Sequence, residues 1–319
     1  MHTYYIIMRI LVILPAFLPV EDIKKTVNQI MPGIEIRTNM DFEKDDAEVV
    51  VITTFTQFGK NEIDKFPNLK FLQVSSTGYN NVDVKYLKSR NIILSNIPRA
   101  NKDAVAEHVI AMVLAFLKNL IFFDREIRNG NWPVLTNSTE LNGKIFGIIG
   151  MGAIGIKLVQ RLIPFGPGII YYDVKRLPAE DEELYGLIYM ELDDVIKSSD
   201  ILSIHLPLTE GTLNLFDDKH FSMMKDNAIF INTSRGEIMD ENALVKAIKT
   251  KNIFAGIDVY SKEPPDFSSE LFKLGNVIFS PHIAGATIES QQRFLQETIG
   301  NLIKYTQGLD PLYQIKEEL

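Results

Sequence analysis

The segment Gly150-Met151-Gly152-Ala153-Ile154-Gly155 sets three glycines at the spacing of a turn that crowds backbone against an anion. The context is right on both sides. An apolar run, Ile145–Ile149, leads in, and an amphipathic stretch with Ile154, Leu158, Val159 and Leu162 leads out. Gly150 permits the tight turn, Gly152 lets backbone approach a pyrophosphate, and Gly155 lets the helix pack on the strand. The helix N-terminus at Ala153 and Ile154 offers free N–H groups and a partial positive charge. The next strand ends at Asp173, about 18 residues after Gly155. An acidic residue there hydrogen-bonds ribose hydroxyls and repels a 2′-phosphate, so the cofactor expected is NAD. Lys175 and Arg176 follow closely and offset part of that repulsion.

Reading on from Lys144, strands end at Asp173, Pro207, Arg235, Asp258 and His282, all polar or conformationally special. Open α/β sheets bind ligands beyond the carboxyl ends of their strands. Asn232-Thr233-Ser234-Arg235-Gly236 delivers an arginine on a turn closed by glycine. A guanidinium holds a carboxylate by two parallel hydrogen bonds, which suits a 2-oxo acid. Ser280-Pro281-His282 supplies a group able to move a proton near neutral pH. Glu263, if beside His282, would raise its pKa and fix its tautomer. A lone arginine is more often solvated and a lone histidine more often structural. Their place after strands of one crevice tips both toward catalysis. Arg235 and His282 together polarise a carbonyl, so no metal is expected.

The 319 residues favour two domains over one. A net charge of −8, spread along the chain, supports neither nucleic-acid nor anionic-membrane binding. There is no cysteine, which excludes disulfides and thiolate chemistry and fits a reducing, cytoplasmic setting. Tyr4–Val20 is apolar, but Arg9 interrupts it and Pro15 and Pro19 break it, so it reads as neither signal nor span. Residues before Met8 read as an extension ahead of the first strand.

The elements positioning these residues follow from periodicity. Arg9–Pro15, Ile34–Thr38, Ala47–Thr54, Leu69–Ser75 and Ile92–Asn96 read as strands, and Glu21–Met31 as a helix. Ala104–Phe116 is helical and apolar on nearly every face, so it should be buried on all sides, with His108 bonded to backbone. Asn129–Thr139 is a polar surface excursion. A second series has strands at Lys144–Ile149, Ile169–Tyr172, Ile201–Leu206, Ala228–Asn232, Phe254–Ile257 and Val277–Ser280. Asp240 caps a helix at Ala243–Ile248, and a last helix runs from Thr287 to about Tyr305. The expectation is α/β with two doubly wound parallel-sheet domains. A flavodoxin-like substrate domain covers residues 1–100 and is completed by 288–319. An inserted Rossmann cofactor domain covers 101–287.

Nearly the whole length resembles the D-isomer-specific 2-hydroxyacid dehydrogenase family. The resemblance is carried by Glu140–Gly155, Ile204–Thr212, Asn232–Leu244, Gly256–Pro264 and Ser280–Thr287. It implies that Arg235, Glu263 and His282 are the family's catalytic arginine, glutamate and histidine. Asp258 becomes the aspartate that meets the nicotinamide amide. Pro207, Thr212, Thr233 and His282 join the cofactor site. Ser76-Thr77-Gly78 becomes the loop that, with Arg235, receives the substrate carboxylate through backbone N–H groups. The implied reaction moves a hydride between NAD(H) and a small 2-oxo or 2-hydroxy acid, in a homodimer paired through the cofactor domain. Trp132, just ahead of that domain, either joins such an interface or packs locally. The loop Ile52–Phe58 holds no cation before Lys60, which points to glyoxylate or hydroxypyruvate. D-3-phosphoglycerate is the alternative substrate, suggested by Val105–His108 and His282–Thr287. An NAD-sensing, corepressor-like binding protein is the remote alternative.

Overall fold

Val49–Ile52 shows how the first sheet is built. Val49 and Val51 enter one core cluster, Val50 and Ile52 the other, and all four are sealed from solvent. A strand buried on both faces belongs in a parallel sheet with cover on each side. The computed structural model describes residues 8–134 and 137–316. The expected extension before Met8 lies outside the described residues. The chain divides into two compact units, one running to Asn101 and resuming at Ile288, the other Lys102–Thr287.

The first unit runs β1 (Ile10–Ile13), α1 (Val20–Ile30), β2 (Glu35–Arg37), β3 (Val49–Ile52), α2 (Lys60–Ile63), β4 (Phe71–Val74), α3 (Val84–Ser89) and β5 (Ile93–Ser95). All five strands are parallel, in the order β2-β1-β3-β4-β5 of flavodoxin-like sheets.

The second unit opens with α4 (Lys102–Leu117) and α5 (Leu120–Arg128). Then follow β6 (Ile145–Ile149), α6 (Ala153–Leu162), β7 (Gly168–Tyr172), α7 (Ala179–Tyr185), β8 (Leu187–Tyr189) and α8 (Leu192–Ser198). β9 (Ile201–Ile204), α9 (Asp218–Met223), β10 (Ile229–Asn232), α10 (Glu241–Lys251), β11 (Phe254–Ile257) and β12 (Val277–Phe279) complete it. Its seven parallel strands run β12-β11-β10-β9-β6-β7-β8. The order reverses between β6 and β9, which is the switch point where doubly wound sheets bind ligands. α11 (Ile288–Thr306) returns to the first unit, where Leu302 packs beside Ile10, Val12, Val49 and Phe71.

Several elements differ from the sequence reading. Ala47–Thr54 contracts to Val49–Ile52, the unbroken apolar run, with Glu48 ahead of the strand and Thr53 and Thr54 beyond its end. β8 and α5 were not anticipated; β8 is a three-residue edge strand whose signal is too short to stand out. α4 is not buried on all sides. Ala106, Val109, Met112 and Val113 are sealed in the core, while Glu107 and Ala111 face out. No single helix among the described residues is long and apolar enough to cross a membrane; α4 and α5 reach the length together only across a 60° bend.

Candidate active site

β6 enters the glycine turn at Gly150, whose φ is +95°. A Cβ there would lie 2.4 Å from the His205 carbonyl oxygen, so only glycine lets the turn close against the end of β9. Gly155 is pinned similarly, 2.5 Å from the Gly150 carbonyl oxygen. Gly152 faces open space, with nothing within 4 Å of a built Cβ. Above α6, the N–H groups of Ala153, Ile154 and Gly155 have no intrahelical acceptor. Asp173 closes the turn from the side: Oδ2 accepts from Met151 N–H at 2.6 Å and Oδ1 from Lys175 N–H at 2.9 Å. Across the sheet end, Thr212 Oγ1 donates to the Pro207 carbonyl at 2.6 Å, folding that loop. Thr233 Oγ1 is buried and has no partner among the described residues. A clear space over a helix N-terminus, an adjacent carboxylate and an orphaned hydroxyl at a strand end fit a dinucleotide. Gly150–Gly155 would hold its pyrophosphate and Asp173 its ribose.

Arg235 leaves β10 through a turn that Asn232 and Ser234 hold rigid. Asn232 Oδ1 accepts from Ser234 N–H at 3.0 Å, and its Nδ2 donates to the Arg235 carbonyl at 2.9 Å. Ser234 Oγ donates to the Ile204 carbonyl at 2.6 Å. Burial pushes the Arg235 guanidinium down from its usual range, while Glu237 and Glu263 favour its charge. A guanidinium still stays charged at neutral pH.

His282 lies beyond β12 in a left-handed conformation, φ +57°, with its N–H bonded to the Asp258 carbonyl at 2.7 Å. Its Nδ1 meets Glu263 Oε2 at 2.8 Å, the contact that sequence alone could not establish. Glu263 Oε1 accepts from Tyr260 N–H at 3.1 Å, which orients the carboxylate. A carboxylate on Nδ1 leaves Nε2 as the atom that gives or takes a proton.

Asp258 is 1% exposed, and its carboxylate accepts three hydrogen bonds. Oδ1 accepts from Ser280 Oγ at 2.5 Å and from Ile283 N–H at 2.9 Å, and Oδ2 from Ala284 N–H at 2.9 Å. It therefore clamps the turn that presents His282. His108 joins the same network, with Nε2 3.0 Å from Ser280 Oγ, instead of bonding backbone as expected. Ser280, Asn232 and His108 were missed as supports, since no local signal links positions 108 and 280. In the first unit, Asn96 Nδ2 donates to the Thr77 carbonyl at 2.7 Å and Thr77 Oγ1 to Asn101 Oδ1 at 3.0 Å. The Ser76 carbonyl accepts from Ile97 N–H at 3.0 Å. These bonds tie back the carbonyls of Ser76 and Thr77. No cluster of metal-ligating side chains occurs among the described residues.

A Rossmann sheet with a glycine turn, an acidic residue after its second strand and a carboxylate-held histidine define a nicotinamide-dependent oxidoreductase. Residues 110–284 match the family model of the D-isomer specific 2-hydroxyacid dehydrogenase, NAD binding domain. A glyoxylate reductase of Thermococcus litoralis is 38% identical over 83% of this chain and 82% of its own length. Glyoxylate/hydroxypyruvate reductase B of Shigella flexneri is 36% identical over 77% of this chain and 78% of its own. Among solved structures, a D-lactate dehydrogenase from Aquifex aeolicus, complexed with NAD and lactic acid, superposes with a TM-score of 0.86. It is 28% identical and covers 94% of this chain and 96% of that one. The chain belongs to the D-isomer specific 2-hydroxyacid dehydrogenase family and is an NAD-dependent oxidoreductase.

Proposed function

We propose that this chain reduces glyoxylate or hydroxypyruvate to the D-2-hydroxy acid, with Arg235, Glu263 and His282 as the reacting centre. The observation that carries this reading is the His282–Glu263 pair at 2.8 Å on a turn clamped by Asp258. NADH, when bound, supplies the hydride delivered to C2. Arg235 holds the carboxylate and carbonyl oxygen of the 2-oxo acid, and the N–H groups of Ser76-Thr77-Gly78 receive the carboxylate. His282 protonates the carbonyl oxygen from Nε2, while Glu263 stabilises the imidazolium through Nδ1. In the reverse direction neutral His282 takes the proton back. Asp258, in this reading, meets the nicotinamide amide from the edge of its clamp, and Pro207, Thr212 and Thr233 line the cofactor. Residues up to 100, completed by 288–319, act as the substrate domain, and 101–287 as the cofactor domain.

The substrate assignment rests on the loop after β3. The next cation in sequence, Lys60, lies beyond the loop, with its ammonium 5.4 Å from the centre of the Tyr86 ring. An unpaired phosphate dianion would be poorly held. Comparing kcat/KM for a series of 2-oxo acids with NADH, and for 3-phosphoglycerate with NAD, tests this. A preference for the phosphorylated compound would transfer the chain to phosphoglycerate chemistry, and no turnover of any would favour a binding role.

A cytoplasmic homodimer belongs to the same proposal. The absence of cysteine fits the location. α5 buries none of its residues and exposes Leu120, Ile121, Phe122 and Ile127, with Trp132 and Val134 over 80% exposed just beyond. Apolar surface gathered like this marks an interaction face. Sedimentation should give a dimer, and Ile121→Asp with Ile127→Asp should split it.

A further inference from the structure

The loop after β7 carries two cations, Lys175 and Arg176, two and three residues after Asp173, and the structure treats one of them unusually. Arg176 donates from Nε to Glu182 Oε1 and from Nη2 to Glu182 Oε2, both at 2.8 Å. That is a side-on, bidentate pair, the strongest geometry a guanidinium makes with a carboxylate. Glu182 is fixed in turn. Its Oε1 accepts from the Tyr171 hydroxyl at 2.6 Å, and that hydroxyl accepts from Leu177 N–H at 2.9 Å. Tyr171 is fully buried in β7, so the carboxylate is anchored to the sheet. The guanidinium also lies 5.1 Å from the centre of the Tyr189 ring on β8. Glu182 keeps only 11% of its side chain exposed, while Arg176 keeps 61%. The pair holds the Glu182 carboxyl down at about 2, first through Arg176 and then through Tyr171, so it is charged at any working pH.

We propose that Glu182 is a cofactor-specificity residue, which holds Arg176 away from a 2′-phosphate and so favours NADH over NADPH. The inference rests on the assignment of Gly150–Gly155 as the dinucleotide turn. Asp173 repels a 2′-phosphate directly; Glu182 works beside it, by occupying the cation best suited to receive one. Glu182 takes the Nε–Nη2 edge of the guanidinium, one of the two that can grip a phosphate, fixes its direction, and compensates its charge at close range. Removing the carboxylate frees both.

The test measures dissociation constants for NADH and NADPH by cofactor fluorescence, with thermal melts, for the unaltered enzyme, Glu182→Ala, Arg176→Ala and the double variant. Asp173 and Lys175 are common to all four, so their contributions cancel. Glu182→Ala should tighten NADPH about tenfold or more, the worth of one charge-assisted contact, with NADH changed less than about twofold. Arg176→Ala alone should leave both cofactors unaffected, and the double variant should lose the gain. If Glu182→Ala does not fold, Glu182→Gln keeps an acceptor for Tyr171, removes the charge, and should shift NADPH in the same direction. An unchanged NADPH affinity, or a gain that survives loss of Arg176, overturns the proposal. Failure of the unaltered enzyme to bind NADH would instead remove the turn assignment beneath it.

Discussion

The Ser75–Gly78 loop of the first unit and the Ser280–Ala284 turn of the second both follow strands of parallel sheets, and they are furnished differently. Around the first, the supports are neutral: Asn96, Asn101, the Ile97 N–H, and Thr298 of α11, whose hydroxyl meets Ser75 Oγ at 2.8 Å. Around the second they are carboxylates, Asp258 on the backbone and Glu263 on the imidazole. On the proposed function, the difference follows from the work each does. A loop that receives an anion through N–H groups needs its carbonyls tied back and no negative charge nearby. A turn that moves a proton needs a titratable ring with one nitrogen committed. Changes in the first should therefore appear in substrate binding, and changes in the second in turnover and fold.

The largest effect expected is that of His282→Ala. Loss of the proton donor should lower kcat by roughly 10²–10⁴, the usual worth of general acid catalysis, with NADH affinity nearly unchanged. Turnover within about threefold of the parent would remove His282 from the chemistry and erase the contrast between the loops.

Asp258→Ala should come next. It leaves the Ser280 hydroxyl and the N–H groups of Ile283 and Ala284 without their acceptor. At about 1–3 kcal/mol for each buried group left unsatisfied, a loss of several kcal/mol is expected in chemical denaturation. Unchanged stability would mean that the turn holds its shape without the clamp.

His205 sharpens the comparison by giving the second unit an acid-sensitive support. Its ring bonds Ser203 Oγ through Nε2 at 3.0 Å, and burial lowers its pKa to about 4 from the ordinary 6.5 of a histidine. The folded chain thus disfavours the protonated ring, and between those values the unfolded chain binds more protons. This contribution, about 3 kcal/mol at most, is complete above pH 6.5 and fades as pH falls toward 4. Urea unfolding of the parent and of His205→Gln at pH 7 and pH 4.5 should show a smaller acid loss in the variant. Equal losses would mean that the ring is hydrated.

Asn96→Ala should have the smallest effect. Freeing the Thr77 carbonyl costs about 1 kcal/mol of loop order, seen as a several-fold rise in KM with kcat nearly constant. A fall in kcat with constant KM would contradict the division of labour.

Much of the molecule was legible in one dimension. Parallel strands buried on both faces write themselves as apolar runs, so strands are legible within Ala47–Thr54 and Lys144–Ile149, where the structure has Val49–Ile52 and Ile145–Ile149. The glycine turn was legible because backbone sterics act between near neighbours, as Gly150 against Gly155 shows. Strand ends are less legible, since polar residues such as Thr53, Ser75 and Ser280 extend the apparent run beyond the last ladder bond. β8 was lost because three residues carry too little pattern.

Residue types and their place at strand ends were determined by the sequence alone: an arginine after β10, a glutamate after β11 and a histidine after β12, beside a dinucleotide turn. Only the tertiary structure decided which groups touch. Glu263 reaches His282 at 2.8 Å, His108 reaches Ser280 at 3.0 Å, and Arg176 is claimed by Glu182. Local order follows from sterics and burial between neighbours in the chain, which spacing records. Side-chain partnership follows from the crossing of distant strands and helices, and from competition among charges for the same few ångströms, which spacing does not.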